Sequence, residues 1–211
     1  MRAAAVLLGL LLAAPAAPAQ RAVTVTPTVS LVEHRVDAGF GVERSLGPVI
    51  GAVGAVQLGP RLTLALRALG GSLYGARSVL DRDVGELGLA ARVGTTSWLD
   101  LEAGAARRTY ATSVARQGWT LIHAGAAARA AFAGNAISGV ASAALLPVVS
   151  VPGLPNPDHA FRARTGIEYR IRSTRLAVDY SLERYDFPIQ QGVRRLEQLS
   201  ALTLRLDVRM R

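Results

Sequence analysis

From about residue 22 onward, apolar and polar side chains alternate with a period of two. In the last segment Leu202, Leu204, Leu206, Val208 and Met210 interleave with Thr203, Arg205, Asp207, Arg209 and Arg211. Phe161, Ala163, Ile167, Tyr169 and Ile171 interleave in the same way with Arg162, Arg164, Glu168, Arg170 and Arg172. A helix would scatter these arginines around its circumference, whereas a strand gathers them on one face. The pattern predicts ten strands, at about 22–33, 48–58, 62–75, 84–94, 98–112, 119–133, 136–150, 161–172, 175–186 and 197–210. Most are longer than the 5–6 residues usual in soluble sheets, and long enough for the roughly 9–11 that cross a membrane at a tilt.

The connections alternate as well. Tight ones fall at Gly59-Pro60-Arg61, at Thr95 to Ser97, at Gly134-Asn135 and at Ser173-Thr174. Gly-Asn supplies the positive φ of a two-residue hairpin. Longer ones are expected at 34–47, 76–83, 113–118, 151–160 and 187–196. The fourth holds Pro152, Pro155 and Pro157, which lack the donor a ladder needs. Short turns at one end and longer loops at the other, with an even strand count, is the layout of an outer-membrane barrel. We expect an all-β fold, a ten-stranded antiparallel transmembrane β-barrel with short periplasmic turns, longer extracellular loops and both termini periplasmic.

What precedes the first strand reads as an export signal. Arg2 is followed by the apolar run Ala3 to Ala14 and by the small-x-small site Ala17-Pro18-Ala19. The expected division is therefore a cleaved leader over 1–19 and one barrel domain over 20–211. The chain has no cysteine, which excludes a disulfide scaffold, a thiolate metal site and a cysteine nucleophile. Its 24 basic residues are all arginine. They alternate with apolar residues along strands instead of forming a patch with stacking aromatics, so nucleic acid is not an expected partner.

On this pattern, over essentially all of 21–211, the chain resembles the small bacterial outer-membrane β-barrel proteins. The resemblance implies residence in the outer membrane as a monomer, with outer-membrane lipid and the barrel-assembly machinery as partners. One departure is the end, Val208-Arg209-Met210-Arg211, where such proteins commonly carry an aromatic residue.

Alternation leaves open which face turns inward. In a soluble periplasmic barrel carrying a lipid or other apolar ligand, the apolar face would fill the core. In a membrane barrel that face meets lipid, because a charge there costs about 2–4 kcal/mol at the midplane. On the membrane reading the lumen holds the charge network Arg67, Glu86, Arg92, Asp100, Glu102, Arg162, Arg164, Glu168, Arg170, Asp179, Glu183, Arg205 and Asp207, joined by Arg108, Arg129, Arg172 and Arg209. Arginine exceeds carboxylate by three in that set. The expected turns place Arg92 opposite Asp100 and Arg164 opposite Glu183. Tyr74, Phe161, Tyr180, Phe132 and Trp98 fall where interfacial aromatics belong. Gly51, Gly54, Gly70, Gly71 and Gly104 would relieve crowding in a curved wall, and Gly88, Ala90, Gly104, Ala106 and Gly166 would leave one side of the lumen thin.

Little enzymatic chemistry is indicated. His34, His123 and His159 fall towards the long-loop end, near Glu33, Asp37, Asp83, Asp158 and Asp186, and read as solvated rim residues. No spacing calls for a metal, a cofactor or a nucleophile elbow. Two functions are therefore expected. One is a structural or interaction barrel working through loops 34–47 and 187–196, with Phe40 and Phe187 as exposed anchors; the other is a narrow pore passing small ions, with a preference for anions.

Overall fold

The computed structural model describes residues 23–39, 41–76, 79–132, 136–172 and 174–210, with side chains as far as Val208. The leader, Phe40, the Gly134-Asn135 turn and the Arg209 side chain lie outside the described residues. Ten strands run in chain order: β1 (Val23–Asp37), β2 (Val42–Gln57), β3 (Leu62–Gly75), β4 (Arg82–Gly94), β5 (Leu99–Ala111), β6 (Arg116–Phe132), β7 (Ile137–Ser150), β8 (His159–Ile171), β9 (Thr174–Asp186) and β10 (Leu196–Met210). Every pairing is antiparallel between sequence neighbours, and β10 returns to β1 to close the barrel. Closure leaves no edge strand to pair with another chain.

The apolar face is the outer one. Leu145 is 70% exposed, Ile50 66% and Ile167 63%, values a soluble barrel with an apolar core would not show on whole rows of strands. On β6 the outward apolar positions run from Ile122 to Phe132. Ten steps of about 3.4 Å at a tilt of about 40° rise about 26 Å, which matches the roughly 25 Å apolar band of membrane barrels. Tyr74, Tyr180, Phe132, Trp98 and Phe161 all face outward and are exposed.

Strand bounds fall within a few residues of expectation except at the first loop. The ladder continues through Arg35↔Arg44, Val36↔Glu43 and Asp37↔Val42, so the connection shrinks to residues 38–41. The sequence masks this because the outer face of these strand ends turns polar above the membrane while the inner face turns apolar. Loops 151–158 and 187–195 remain the long ones.

Two registers differ from expectation by two residues. Arg92 faces Glu102, and Asp100 faces Gly94. Arg162 faces Glu183, and Arg164 faces Ser181. The cause is the turns. In the first, Thr95 and Thr96 both donate to the Leu99 carbonyl, giving a wider turn centred one position later. In the second, the strands close at Ile171↔Thr174, so Thr174 belongs to β9 and not to the expected turn, whose Ser173 lies outside the described residues. Arg172 adopts φ 55°, the left-handed conformation that a two-residue hairpin requires, and it is a turn residue, not a lumen residue. A slip of two keeps each side chain on its expected face and changes only its partner.

One bulge interrupts the wall. Ile122 faces Val148 and Ala124 faces Leu145, which sets His123 against both Leu146 and Pro147. Proline has no hydrogen to give the ladder, so a bulge is where it fits. Pairing of β7 with β8 stops at Leu145↔Phe161.

Candidate functional site: the barrel interior

Three tiers fill the interior. In the half nearer the long loops the inward residues are apolar and aromatic. Val32, Val49, Leu73, Val84, Tyr110, Trp119, Leu121, Leu146, Val149 and Tyr185 form one buried cluster with Val151 and Phe187 from the loops. Trp119 is 1% exposed and stands edge-on to Tyr185 (centroids 5.0 Å apart), Tyr110 (6.1 Å) and Phe187 (6.2 Å). Its Nε1–H donates to Gln117 Oε1 at 3.1 Å, which satisfies the ring's one polar group. Phe187, expected as an exposed anchor, is buried in this plug.

His34 belongs to the same tier and is likewise buried, not a rim residue. It stacks on Tyr110 at 4.7 Å. Arg82 Nη1 donates to its Nδ1 at 3.1 Å, so Nε2 carries the hydrogen given to Glu197 Oε2 at 3.1 Å. Arg195 Nε holds the other Glu197 oxygen at 2.7 Å. Ser45 stands opposite His34 on β2 and is also buried. Both ring nitrogens are already engaged, and none is left to take the Ser45 proton. A Ser–His–Glu grouping by type is therefore not a nucleophile by geometry.

Beneath the plug an ion chain crosses the barrel. Arg67 pairs with Glu86; Arg108 Nε meets Glu86 Oε2 at 2.6 Å and its Nη2 meets Glu183 Oε2 at 2.7 Å; Arg162 Nε meets Glu183 Oε1 at 2.6 Å. The Tyr185 hydroxyl donates to Glu183 at 2.6 Å, tying the chain to the plug above. Arg108 on β5 thus spans to β9, across the lumen. The side chains of Arg108 and Glu86 are 2% and 1% exposed.

Nearer the short turns the lumen is polar and wetter. Arg92 pairs with Glu102 at 2.7 Å, and His123, also buried inside the barrel, meets the other Glu102 oxygen at 3.3 Å. Arg205 bridges Asp179 and Glu168, Arg129 holds Glu168 at 2.7 Å, and Thr26 donates to Asp207 at 2.8 Å. Asp100 helps line an open cavity of about 420 Å³ at this mouth, with Arg61, Thr63, Arg92 and Thr95. Arg164 points inward with its Nε unpartnered among the described residues. Arg170 faces Arg175 across β8 and β9 at the rim. His159 is exposed. In the loop above, Asp186 holds Arg194, whose pKa it raises above the usual guanidinium value by hydrogen bond and charge.

Gly104 and Gly166 do not leave the wall thin. A Cβ on Gly104 would lie 2.7 Å from the His123 ring and 2.5 Å from the Leu89 carbonyl oxygen, and one on Gly166 would lie 2.3 Å from Asp179. The missing side chains are filled by their neighbours. Gly51 and Gly71 serve close approach in the same way, whereas Gly54 faces open space and Gly70 has only an ordinary contact.

The structure turns inward the face on which alternation gathers the charges, and it adds His34, Arg82, Tyr110, Trp119, Tyr185 and Glu197, which the sequence reading did not name as interior groups. The available signal was parity. Tyr110 shares a face with Glu102 and Arg108, and Tyr185 shares one with Asp179 and Glu183. Among the described residues no cluster of His, Asp and Glu is arranged to hold a metal ion.

An apolar band of membrane height, charges confined inside and loops gathered at one end settle the class. The chain folds as a small ten-stranded barrel of the outer-membrane type. No family model matches it, and no curated protein matches its sequence. It is similar in fold to solved outer-membrane barrels. The translocator domain of the autotransporter NalP from Neisseria meningitidis is 11% identical, with 99% of this chain and 94% of that one covered and a TM-score of 0.48. An outer-membrane channel from Pseudomonas putida F1 is 12% identical, with 92% and 97% covered and a TM-score of 0.47. Neisserial surface protein A is 13% identical, with 87% and 96% covered and a TM-score of 0.39.

Proposed function

We propose that this barrel is a structural, interaction-type element of the outer membrane, closed to solutes and non-enzymatic. The observation that carries the reading is the two-layer seal: the aromatic plug around Trp119 resting on the buried chain from Arg67 to Arg162. Interior width grows with strand number, and about eight strands leave room for side chains alone. Ten strands add little space, and here that space is filled. On this reading the barrel works as a monomer, its closed sheet leaving no strand edge to pair with a second copy. Its partners are the outer-membrane lipid around it and the machinery that assembles it. The test is planar-bilayer recording of the refolded native chain, which should give no sustained current; a steady open level would replace this reading with that of a constitutive pore.

The open cavity at the short-turn mouth favours a second reading, a gated narrow pore. Half of the path is already polar, and part of the plug, Phe187 and Val151, comes from loops. On that reading small ions pass only when the loops withdraw, and Arg164, Arg170 and Arg175, which have no carboxylate partner among the described residues, would favour anions.

A further inference from the structure

In the short-turn half of the interior the charges do not pair off completely. Arg92 gives both Nε and Nη2 to Glu102. Asp100, two residues nearer the turn on β5, is left facing Gly94, which has no side chain. It makes no ion pair among the described residues. Asp100 lines the open mouth cavity of about 420 Å³ with Arg61, which is exposed and likewise makes no ion pair among the described residues. Sites for small molecules are commonly about 300–1,000 Å³. The Thr96 hydroxyl lines the same cavity; its oxygen accepts from the Leu99 and Trp98 backbone amides at 3.0 and 3.3 Å, so its hydrogen is free to donate.

Strand pairing carries this surface round the wall. Asp100 faces Ala127, Ala127 faces Ser142, and Ser142 faces Arg164, all four on the inward face. Three strand spacings of about 4.8 Å put Asp100 and Arg164 about 14 Å apart along the wall, with only small side chains between them. A narrow hollow beside Ala127 and Ser142 continues inward to Arg162. Arg164 Nε and Arg162 Nη2 are buried there without partners among the described residues. A buried donor left unmet is costly, and an acceptor supplied by a ligand removes that cost. The unmatched charges of the chamber are therefore two cations, Arg61 and Arg164, and one anion, Asp100. Arg170 and Arg175 stand at the rim and line neither hollow, but their charge draws anions towards the mouth.

We propose that this chamber is a binding site for an acidic α-amino acid, a ligand with two carboxylates and one ammonium, entering from the short-turn side. Its charges are the complement of those the chamber leaves unmatched. The ammonium pairs with Asp100, one carboxylate is taken by Arg61 and the Thr96 hydroxyl, and the other by Arg164. The site opens on the short-turn side of the aromatic plug and the ion chain, so binding requires no passage through the barrel and holds whether or not the interior conducts.

The test is isothermal titration calorimetry of the full refolded chain in an uncharged detergent, with glutamate, N-acetylglutamate, glutamine and sulfate as titrants. Glutamate should bind saturably. N-acetylglutamate, which lacks the ammonium, and glutamine, which lacks the second carboxylate, should each bind at least tenfold more weakly. D100N should weaken glutamate at least tenfold while leaving N-acetylglutamate within twofold, and R164Q should abolish the preference for glutamate over glutamine. R107Q, which removes an outward-facing arginine, should stay within twofold of native. Heat-modifiable gel mobility establishes that each variant is folded; if R164Q is not, D100N at the open mouth and R61Q, with a loss of at least threefold, carry the test. Absence of saturable glutamate binding at millimolar concentration would overturn the site, as would equal affinity for N-acetylglutamate or an unchanged D100N. Displacement of glutamate by an equal concentration of sulfate would reduce the chamber to a general anion hollow and overturn the assignment to an amino acid.

Discussion

Arg108 and Arg92 show how much the surroundings of an ion pair matter. Both contact glutamate at 2.6–2.7 Å, yet the Arg108 side chain is 2% exposed and that of Arg92 43%. Removing Arg108 leaves Glu86 and Glu183 buried without their shared cation, and the loss of one partner from such a site costs about 3–5 kcal/mol. Removing Arg92 exposes Glu102 to water and costs at most about 1 kcal/mol. Urea unfolding of R108M and R92M should therefore give a large downward midpoint shift for the first and a small one for the second; similar shifts would mean the interior is uniformly hydrated. Arg172 offers a test in the opposite direction. Its positive φ strains any side chain with a Cβ, so Arg172→Gly should stabilise the barrel by up to about 1 kcal/mol in the same assay.

Strand pairing is where sequence reasoning reached furthest and where its limit is clearest. Period-two alternation located all ten strands and put every lumen charge that the structure describes on a strand on its observed face. Parity survives a register error of two, so the faces were secure while the partners were not. Pairing depends on turn length, and turn length was set by details that alternation does not carry: Thr95 and Thr96 sharing the Leu99 carbonyl, and Arg172 accepting a left-handed conformation. The register is open to direct chemical test. A disulfide needs Cα atoms within about 7 Å, which directly opposed residues satisfy and residues offset by two scarcely do. Cysteines replacing Arg92 and Glu102 should cross-link readily, and cysteines replacing Arg92 and Asp100 poorly, as read by gel mobility with and without reductant. The reverse order would restore the tighter turn. The plug was hidden for a related reason. Above the membrane the two faces of each strand exchange character, so Glu33 and Arg35 turn outward while Val32, His34 and Val36 turn inward. A reading keyed to the lipid band took that stretch for loop.

For the whole molecule, the same inversion makes the barrel lipid-compatible outside, ionic across its middle, and packed like a soluble core at the long-loop end, which on the proposed reading seals it. The seal predicts its own failure. W119A combined with F187A removes two large rings from the plug, and planar-bilayer recording of this variant should show intermittent openings absent from the native chain. Their current should favour anions at low salt, because Arg164, Arg170 and Arg175 have no carboxylate partner among the described residues, and the preference should fade as screening rises. The most direct measurement uses the two tryptophans, Trp98 outside at 56% exposure and Trp119 within the plug at 1%. In W98F, reconstituted in bilayers, Trp119 emission should be blue-shifted and resist quenching both by aqueous acrylamide and by brominated acyl chains. In W119F, Trp98 should be quenched strongly by one or both. Free access of acrylamide to Trp119 would contradict a sealed interior, and quenching of Trp119 by brominated lipid would place the aromatic cluster on the wrong side of the wall.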